Sequence, residues 1–264
     1  MTVYADLYRY RELFGNLFRR DLQTRYKGSA LGVVWSLLNP LILMGIYVLV
    51  FSLLWKATDI EHYPLYLLVG LALWLFFSAS LTTAARSMVD SAALVKKVRF
   101  PRQLVPLSVV ATQLVTFVAM LLVLMVVNPI VISKTRDTFL LAIQVAAGIV
   151  AFVCGVALIV SCANVVFRDV EHLVQAVLLP WFFLTPILYS LGDLPGLDDY
   201  PAADFVLHWV NFLTPPVEAM RAVLFYGDLP GAADTIYTVV AAVVALAVGG
   251  WVFSRSDDRI ATEV

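Results

Sequence analysis

The sequence predicts an all-α polytopic membrane protein with six transmembrane helices. Of its 264 residues, 61 % are hydrophobic and 14 % are charged, and the mean hydropathy is +0.88. Soluble domains are closer to ~45–50 % apolar and about 25 % charged. Six stretches contain no Asp, Glu, Lys or Arg, namely residues 28–55, 62–85, 103–133, 138–167, 172–192 and 235–254. Each supplies the ~20 residues that cross a hydrocarbon core of about 30 Å, a length that favours helices over barrel strands. The composition excludes a disordered chain and a disulfide scaffold, and it argues strongly against a soluble enzyme.

The distribution of basic residues predicts the orientation. When the N-terminus is placed in the cytoplasm, 14 of the 18 Lys and Arg residues fall on the cytoplasmic side of the six spans. Cytoplasmic segments of membrane proteins carry an excess of these residues, so both termini are expected in the cytoplasm. We expect one domain, which consists of a cytoplasmic arm (1–28), a six-span core (29–254) and a cytoplasmic tail (255–264).

The arm is predicted to form an amphipathic helix over residues 6–26. At 100° per residue, six apolar side chains share one arc: Leu7, Tyr10, Leu13, Phe14, Leu17 and Phe18. The opposite arc is polar and basic, a pattern typical of a helix in the membrane interface. Asp21 interrupts the apolar arc and lies four residues before Arg25, so the two can pair. The helix either anchors the chain to anionic lipid or also acts as a lever on a cytoplasmic partner.

The loop between the second and third stretches, residues 86–103, is strongly basic. Asp90 or Ser91 can cap a short helix over 92–98, and Pro101 disfavours helix at the preceding residue. Leu94, Val95 and Val98 give this helix an apolar side. It therefore suits docking into a groove on another protein, although a loop that serves only the topology is the alternative.

Residues 190–234 are too long for a plain connector before the last span. An acidic beginning is followed by two apolar half-length segments, 205–215 and 217–226, with Thr214-Pro215-Pro216 between them. Glu218 and Arg221 are three apart and can pair. We expect a re-entrant hairpin on the extracytoplasmic side, which would imply a protein-lined or water-filled cavity. A hairpin lying flat on the outer leaflet is the alternative.

The first and fifth predicted spans each contain proline together with aromatic residues. Pro40, Pro180 and Pro186 are expected to kink these helices. Aromatic rings near them suit a passage for a glycan, although most rings in membrane proteins serve packing or the interface. No span carries a central ionisable residue, which argues against ion-coupled transport.

Motifs for chemistry are not found. The chain has no Gly-Lys pair for a phosphate loop and no His-Glu-x-x-His, and its three histidines are scattered. Cys154 and Cys162 are roughly 12 Å apart along one helix, too far for a disulfide bond. We expect no catalytic residue, no metal, no cofactor on this chain and no nucleic-acid partner. Two other classes of protein remain as alternatives. A membrane-embedded lipid-sugar enzyme would have to use the acidic cluster Asp193, Asp198, Asp199 and Asp204. A passive channel would work without ATP.

Several blocks of the sequence carry a resemblance to a known family. They are RDLQTRYKGS at 20–29, LG at 31–32, WSLLNP at 35–40, LVKKVRFPR at 94–102, RDVEH at 168–172 and FLTPILY at 183–189. These blocks resemble the permease subunits of ABC-type polysaccharide, O-antigen and teichoic-acid exporters. NFLTP at 211–215 is similar to the family's Asn-Pro-x-Thr-Pro, but Phe-Leu replaces the usual Pro-x. The resemblance covers nearly the whole chain.

The resemblance implies a homodimer in the cytoplasmic membrane, bound to two cytoplasmic subunits that carry ATP and Mg²⁺. It implies that a lipid-linked polysaccharide, on undecaprenyl or a similar lipid, passes between the first and fifth spans of opposing subunits. The expected channel residues are Trp35, Tyr47, Trp181, Phe182, Phe183 and Tyr189. The expected ATPase-coupling residues are Arg20, Asp21, Arg25, Leu94, Lys96, Lys97, Arg99 and Phe100. The expected outer-gate residues are Trp209, Phe212, Pro215, Glu218 and Arg221. A permease of the same class that exports a drug or a free lipid is the nearest alternative.

Overall fold

A computed structural model of the chain describes residues 9–28, 32, 34–54, 60–97, 100–194 and 197–263. The described residues form helices joined by short turns, with α1 as the arm and α8 and α9 as a hairpin before the last helix. The helices are α1 (Arg11–Tyr26), α2 (Val34–Tyr47, continued by a π-helix Val48–Leu54), α3 (Tyr63–Asp90), α4 (Ala92–Lys97), α5 (Leu104–Val131), α6 (Ala142–Val166), α7 (Val170–Leu184), α8 (Pro201–Phe205, continued by a π-helix Val206–Val210), α9 (Thr214–Arg221, continued by a π-helix Ala222–Tyr226) and α10 (Ala232–Glu263). We call the end of the bundle that carries α1 and α4 the arm end, and the end that carries α8 and α9 the hairpin end.

Four of these helices are long and apolar enough to cross a membrane: α3, α5, α6 with its preceding turn, and α10. Helix α3 lies at the centre, since 72 % of its most apolar window is buried inside the chain, whereas only 28 % of the α5 window is. Helices α2 and α7 are apolar but shorter. The chain is therefore a polytopic all-α membrane protein in which the helix of the fifth predicted span is shorter than expected.

The fifth predicted span, residues 172–192, is not one continuous helix. Helix α7 ends at Leu184, and Thr185 has extended backbone angles of φ −86° and ψ 132°. Pro186 explains the end, because a proline disfavours helical angles at the residue before it. At ~1.5 Å per residue, α7 is about 22 Å long, less than a hydrocarbon core of about 30 Å. The predicted kink at Pro186 is therefore a complete helix end, whereas Pro40 and Pro180 remain inside helices.

The hairpin before the last helix has the predicted two halves, but the predicted position of the break was wrong. The break lies at residues 211–213, and Thr214-Pro215-Pro216 forms the first turn of α9. Proline suits that turn because its missing N–H has no partner there in any helix. Most of α9 is buried, whereas α8 is exposed.

Helices α6 and α10 run side by side in the same direction and approach closely. A Cβ added to Gly155 would collide with the backbone of Ala245, and one added to Gly249 would collide with the backbone of Gly155. Such close packing of backbones through small residues is the usual means of helix association in lipid, where apolar burial contributes little. This pair fixes the last helix against the bundle.

The arm packs on the bundle through the predicted apolar arc. Leu17 is buried, and Tyr10, Leu13 and Phe14 pack on a small core at the arm end that includes Met88. The opposite arc is exposed, as predicted from the spacing, and comprises Arg9, Glu12, Asn16, Arg19, Arg20 and Gln23. Leu7 lies outside the described residues. The amphipathic helix is therefore part of the fold and not only a surface anchor.

Candidate functional site

The hairpin closes the break in the fifth predicted span through one buried arginine. The guanidinium of Arg221 is fully buried, and it donates through Nη1 to the carbonyl of Pro186 and through Nη2 to that of Ile187, the latter at 2.8 Å. Nη1 also pairs with Glu218 Oε1 at 3.0 Å, as the three-residue spacing predicts. Irregular backbone in a bilayer leaves carbonyls that need donors, and Arg221 supplies them for Pro186 and Ile187 in the turn after α7.

Tyrosines on α3 satisfy the rest of this segment. The hydroxyl of Tyr63 donates to the carbonyl of Leu188, and that of Tyr66 donates to the carbonyl of Tyr189, each at 2.8 Å. Tyr189 itself donates to the carbonyl of Phe183 at 3.1 Å. The turn after α7 is thus held by α3 and α9 together.

Asn211 joins α7 to the break between α8 and α9. Its Oδ1 accepts from Trp181 Nε1 at 2.9 Å, and its Nδ2 donates to Thr185 Oγ1 at 3.0 Å and to the carbonyl of Leu184 at 3.2 Å. The Trp181 ring also packs edge-on against Phe212, with centroids 4.6 Å apart. One amide therefore fixes the end of α7 relative to the hairpin.

The six predicted channel aromatics do not lie on one surface. Trp35 and Phe183 are exposed, at 49 % and 55 %, whereas Phe182 is buried. The rings of Tyr47 and Phe182 stack with centroids 5.8 Å apart, so the first and fifth predicted spans of the same chain touch. Trp181 and Tyr189 hold the turn after α7, as described above. Of the predicted channel residues, only Trp35 and Phe183 have rings that lie largely outside the core of their own chain.

The predicted gate residues belong to the packed part of the hairpin. Phe212, Pro215 and Glu218 lie on or next to the buried half, and Trp209 lies on the exposed half. Beside Trp209, His208 Nε2 pairs with Asp234 Oδ1 at 2.8 Å, which ties the hairpin to α10. The hydrogen bond to Asp234 raises the pKa of His208, which precedes the last span, and partial burial opposes this shift. The hairpin is therefore held on one side by the contacts of Arg221 and on the other by the His208–Asp234 pair.

At the arm end, Asp21 does not pair with Arg25, so that prediction was wrong. Asp21 Oδ1 accepts from Arg20 at 2.8 Å, and Asp21 Oδ2 accepts from Ser108 Oγ at 2.8 Å. Arg25 instead donates to Gln113 Oε1. The helix spacing permits an Asp21–Arg25 pair, but packing against α5 offers both side chains nearer polar partners.

The short helix of the basic loop forms as predicted, over Ala92–Lys97, after Ser91. Val95 is buried, however, and Leu94 and Phe100 pack on the same small core as the arm. This apolar side therefore holds α4 to its own bundle instead of offering itself to a partner, and it leaves the exposed Lys96 outward. Lys97 ends the helix, while Val98 and Arg99 lie outside the described residues.

Polar contacts at the arm end join the arm to the start of α4 and join α3 to α7. Arg20 Nη2 donates to Ser91 Oγ at 3.4 Å, which links the arm to the start of α4. Arg86, near the end of α3, pairs with Asp90 at 3.1 Å and lies 3.7 Å from Glu171 at the start of α7. The arm, α4 and the fifth predicted span therefore meet at one end of the molecule.

No group of three or more His, Cys, Asp or Glu side chains that could hold a metal ion occurs within the described ranges. Asp193 and Asp198, two members of the acidic cluster, have no described side-chain positions, and Asp204 is exposed. The arrangements that the structure presents are packing and polar clamps between helices.

The comparisons with known proteins agree with this architecture. Residues 12–225 match the ABC-2 type transporter family. The chain is 33 % identical to the O-antigen export system permease protein RfbA of Myxococcus xanthus over the full length of both chains. It is 33 % identical to the RfbA permease of Klebsiella pneumoniae over 72 % of this chain and 75 % of that one. It is 23 % identical to the polysialic acid transport protein KpsM of Escherichia coli over 93 % and 94 %. The chain belongs to the ABC-2 type transporter family.

Sequence reasoning missed the polar residues that join distant elements: Tyr63, Tyr66, Ser108, Gln113, Asn128 and Thr138. Asn128 and Thr138 donate to the carbonyls of Leu224 and Val223 in the π-helical end of α9. A polar side chain inside an apolar stretch was the available signal, because such groups require partners in lipid. Their partners could not be named without the fold.

Proposed function

We propose that this chain is the membrane-spanning subunit of an ATP-driven exporter that moves a lipid-linked cell-surface polysaccharide across the cytoplasmic membrane. The observation that carries the proposal is the match, over the full length of both chains, to an O-antigen export permease. The match to a polysialic acid transport protein over 93 % of the chain supports the same substrate class. The cargo is O-antigen, teichoic acid or a related glycan.

The proposed topology has six spans with both termini in the cytoplasm. The four long apolar helices, the shorter α2 and α7, and the excess of Lys and Arg at the arm end support it. In this topology the hairpin dips into the extracytoplasmic side of the membrane. The carbonyls of the turn after α7 have protein donors, which is the condition for irregular backbone at that depth.

The working unit is a homodimer bound to two ATP-binding subunits that supply ATP and Mg²⁺. Exposed rings on α2 and α7, among them Trp35 and Phe183, support a passage between copies. Such rings make many weak contacts with sugar faces, so a polymer binds without being trapped. Buried residues such as Phe182 support the wall of the passage without facing it.

Coupling takes place at the arm end. The partner subunits push on α4 and on the arm when they close on ATP, and Arg20, Ser91 and Arg86 pass the movement to α7. The first and fifth spans of opposing subunits then move apart as rigid bodies. Lys96 presents its exposed basic side chain to the partner, whereas the apolar side of α4 keeps this helix fixed to the bundle.

The test is a reconstitution. The chain is placed in vesicles with and without its ATP-binding partner, a fluorescent lipid-linked glycan is added outside inverted vesicles, and its protection from a glycosidase is followed. We expect protection only with both chains and ATP, and none with a partner that cannot hydrolyse ATP. Transport by this chain alone, chemical change of the glycan, or equal transport of a free lipid or drug would contradict the proposal.

A further inference from the structure

A cavity of about 600 Å³ lies inside the single chain, between the end of the arm and helices α2, α3 and α5. Most of its walls come from α3 and α5 of one chain, and it shares only Trp35 with the exposed rings assigned to the proposed passage. Its volume falls in the ~300–1,000 Å³ range of small-molecule sites. Trp35, which is half-exposed, and Arg25 lie at its rim.

The cavity is polar at the arm end and apolar at its other end. The polar lining residues are Asn39, Ser78, Thr82, Thr83, Gln113 and Thr116. The deeper lining is Leu75, Phe76, Phe117 and Met120. Along α5, Gln113 and Met120 are ~10 Å apart at about 1.5 Å per residue. The shape therefore suits an amphiphile whose head lies at the arm end and whose chain points towards the membrane centre.

The charge of the residues that line the cavity indicates which lipid head group it binds. Among the described residues that line the cavity, Arg25 is the one charged side chain, and none carries a carboxylate. Gln113 positions it, because Gln113 Oε1 accepts from Arg25 Nη1 and Gln113 Nε2 lies 3.5 Å from Thr83 Oγ1. A guanidinium has five N–H donors in a fork that matches phosphate oxygens, so donors remain for an anion.

We propose that this cavity binds one phosphate-bearing lipid, with the phosphate on Arg25 and one chain running towards Met120. The lipid comes either from the bulk membrane, as an anionic phospholipid, or from the polyprenyl phosphate pool. A lipid in this position would lie between α2 on one side and α3 and α5 on the other. The site does not rest on the proposed export function, because the cavity belongs to one chain and its occupancy is measured without transport.

The test is native mass spectrometry of the full chain in detergent, titrated separately with phosphatidylglycerol, polyprenyl phosphate and phosphatidylcholine. We expect retention of one molecule of an anionic lipid. Arg25→Gln should lower its affinity about tenfold, because a charge-assisted hydrogen bond to phosphate is lost. Arg19→Gln is the matched control, since it removes one exposed charge from the same helix outside the cavity.

A second variant tests the volume independently of the charge. Ala79→Phe fills the cavity from α3 and should abolish retention, whereas Ala147→Phe, on an exposed face of α6, should not. Both are compared for folding by size-exclusion profile and thermal unfolding. Preference for phosphatidylglycerol assigns the site to bulk lipid, and preference for polyprenyl phosphate assigns it to the carrier pool. Equal retention of phosphatidylcholine, or undiminished retention in both Arg25→Gln and Ala79→Phe, would overturn the proposal.

Discussion

The guanidinium of Arg221 lies 3.7 Å from the centroid of the Tyr66 ring. A cation over an aromatic face is stabilised by the ring quadrupole, and more so where water is excluded. Arg221 comes from α9, Tyr66 from α3, and the carbonyls that Arg221 satisfies come from the turn after α7. Three elements are thus held by one side chain.

Arg221→Met should destabilise the protein by about 3–5 kcal/mol, because it leaves buried polar groups without their cation. Arg221→Lys should recover only part of this, since a lysine lacks the forked donors that reach both carbonyls. Thermal unfolding in detergent measures the effect. Arg168→Met, which removes an exposed arginine, is the control. An Arg221→Met protein as stable as this control would contradict the clamp.

Asn211→Leu should disconnect α7 from the hairpin, because Trp181, Thr185 and the carbonyl of Leu184 lose their partner at once. An unsatisfied buried polar group costs about 1–3 kcal/mol. We expect lower stability and, in a reconstituted transporter, impaired export. Asn16→Leu on the exposed face of the arm is the matched control, and equal export by the two variants would exclude a role of Asn211 in transport.

Gly249→Ala should force α6 and α10 apart, at a cost of about 1–3 kcal/mol, because the added methyl would collide with the backbone of Gly155. Gly45→Ala provides the opposite case. Nothing lies within 4 Å of a Cβ at that position, and alanine is the better helix former by ~1 kcal/mol. Thermal unfolding should therefore move in opposite directions for the two variants. A shift of the same sign and size in both would refute the close approach.

The contact between His208 and Asp234 should depend on pH. Because the pKa of His208 is raised in the folded protein, its stabilisation is fully present below the ordinary histidine pKa and is lost as pH rises through the raised value. Hydrogen exchange of residues 201–210, corrected for its intrinsic pH dependence, should show protection that falls over that interval. His208→Gln should abolish the dependence, whereas His172→Gln, at an exposed position, should preserve it. A pH profile unchanged by His208→Gln would refute the assignment.

The pair Lys96→Glu with Lys97→Glu should uncouple ATP turnover from export without unfolding the protein. Lys96 is exposed at the arm end, where the partner subunit is expected to contact α4, so charge reversal acts on the partner and not on the core. The measurements are ATPase stimulation and glycan export in the reconstituted complex. Lys134→Glu, also exposed but at the hairpin end, is the control. Unchanged export in the double variant would remove α4 from the coupling mechanism.

The features that could be predicted from the sequence are those with local causes. Charge-free length marked the four long apolar helices, the 3.6-residue period marked the buried and exposed arcs of the arm, and a cap at Asp90 or Ser91 marked the start of α4. Pro186 marked the irregularity in the fifth span, because proline acts on its immediate neighbour. Each of these signals depends on residues within a few positions of one another.

Tertiary structure alone decided which polar groups from different helices meet. Helical spacing allowed Asp21 to pair with Arg25, but packing brought Ser108 and Gln113 to them instead. Likewise, the donor to the carbonyl of Pro186 is Arg221, which is 35 residues away in the chain. Where no water is present to accept or donate, every buried polar group must find a partner. Which partner it finds depends on how the helices pack, and spacing along the chain does not specify that.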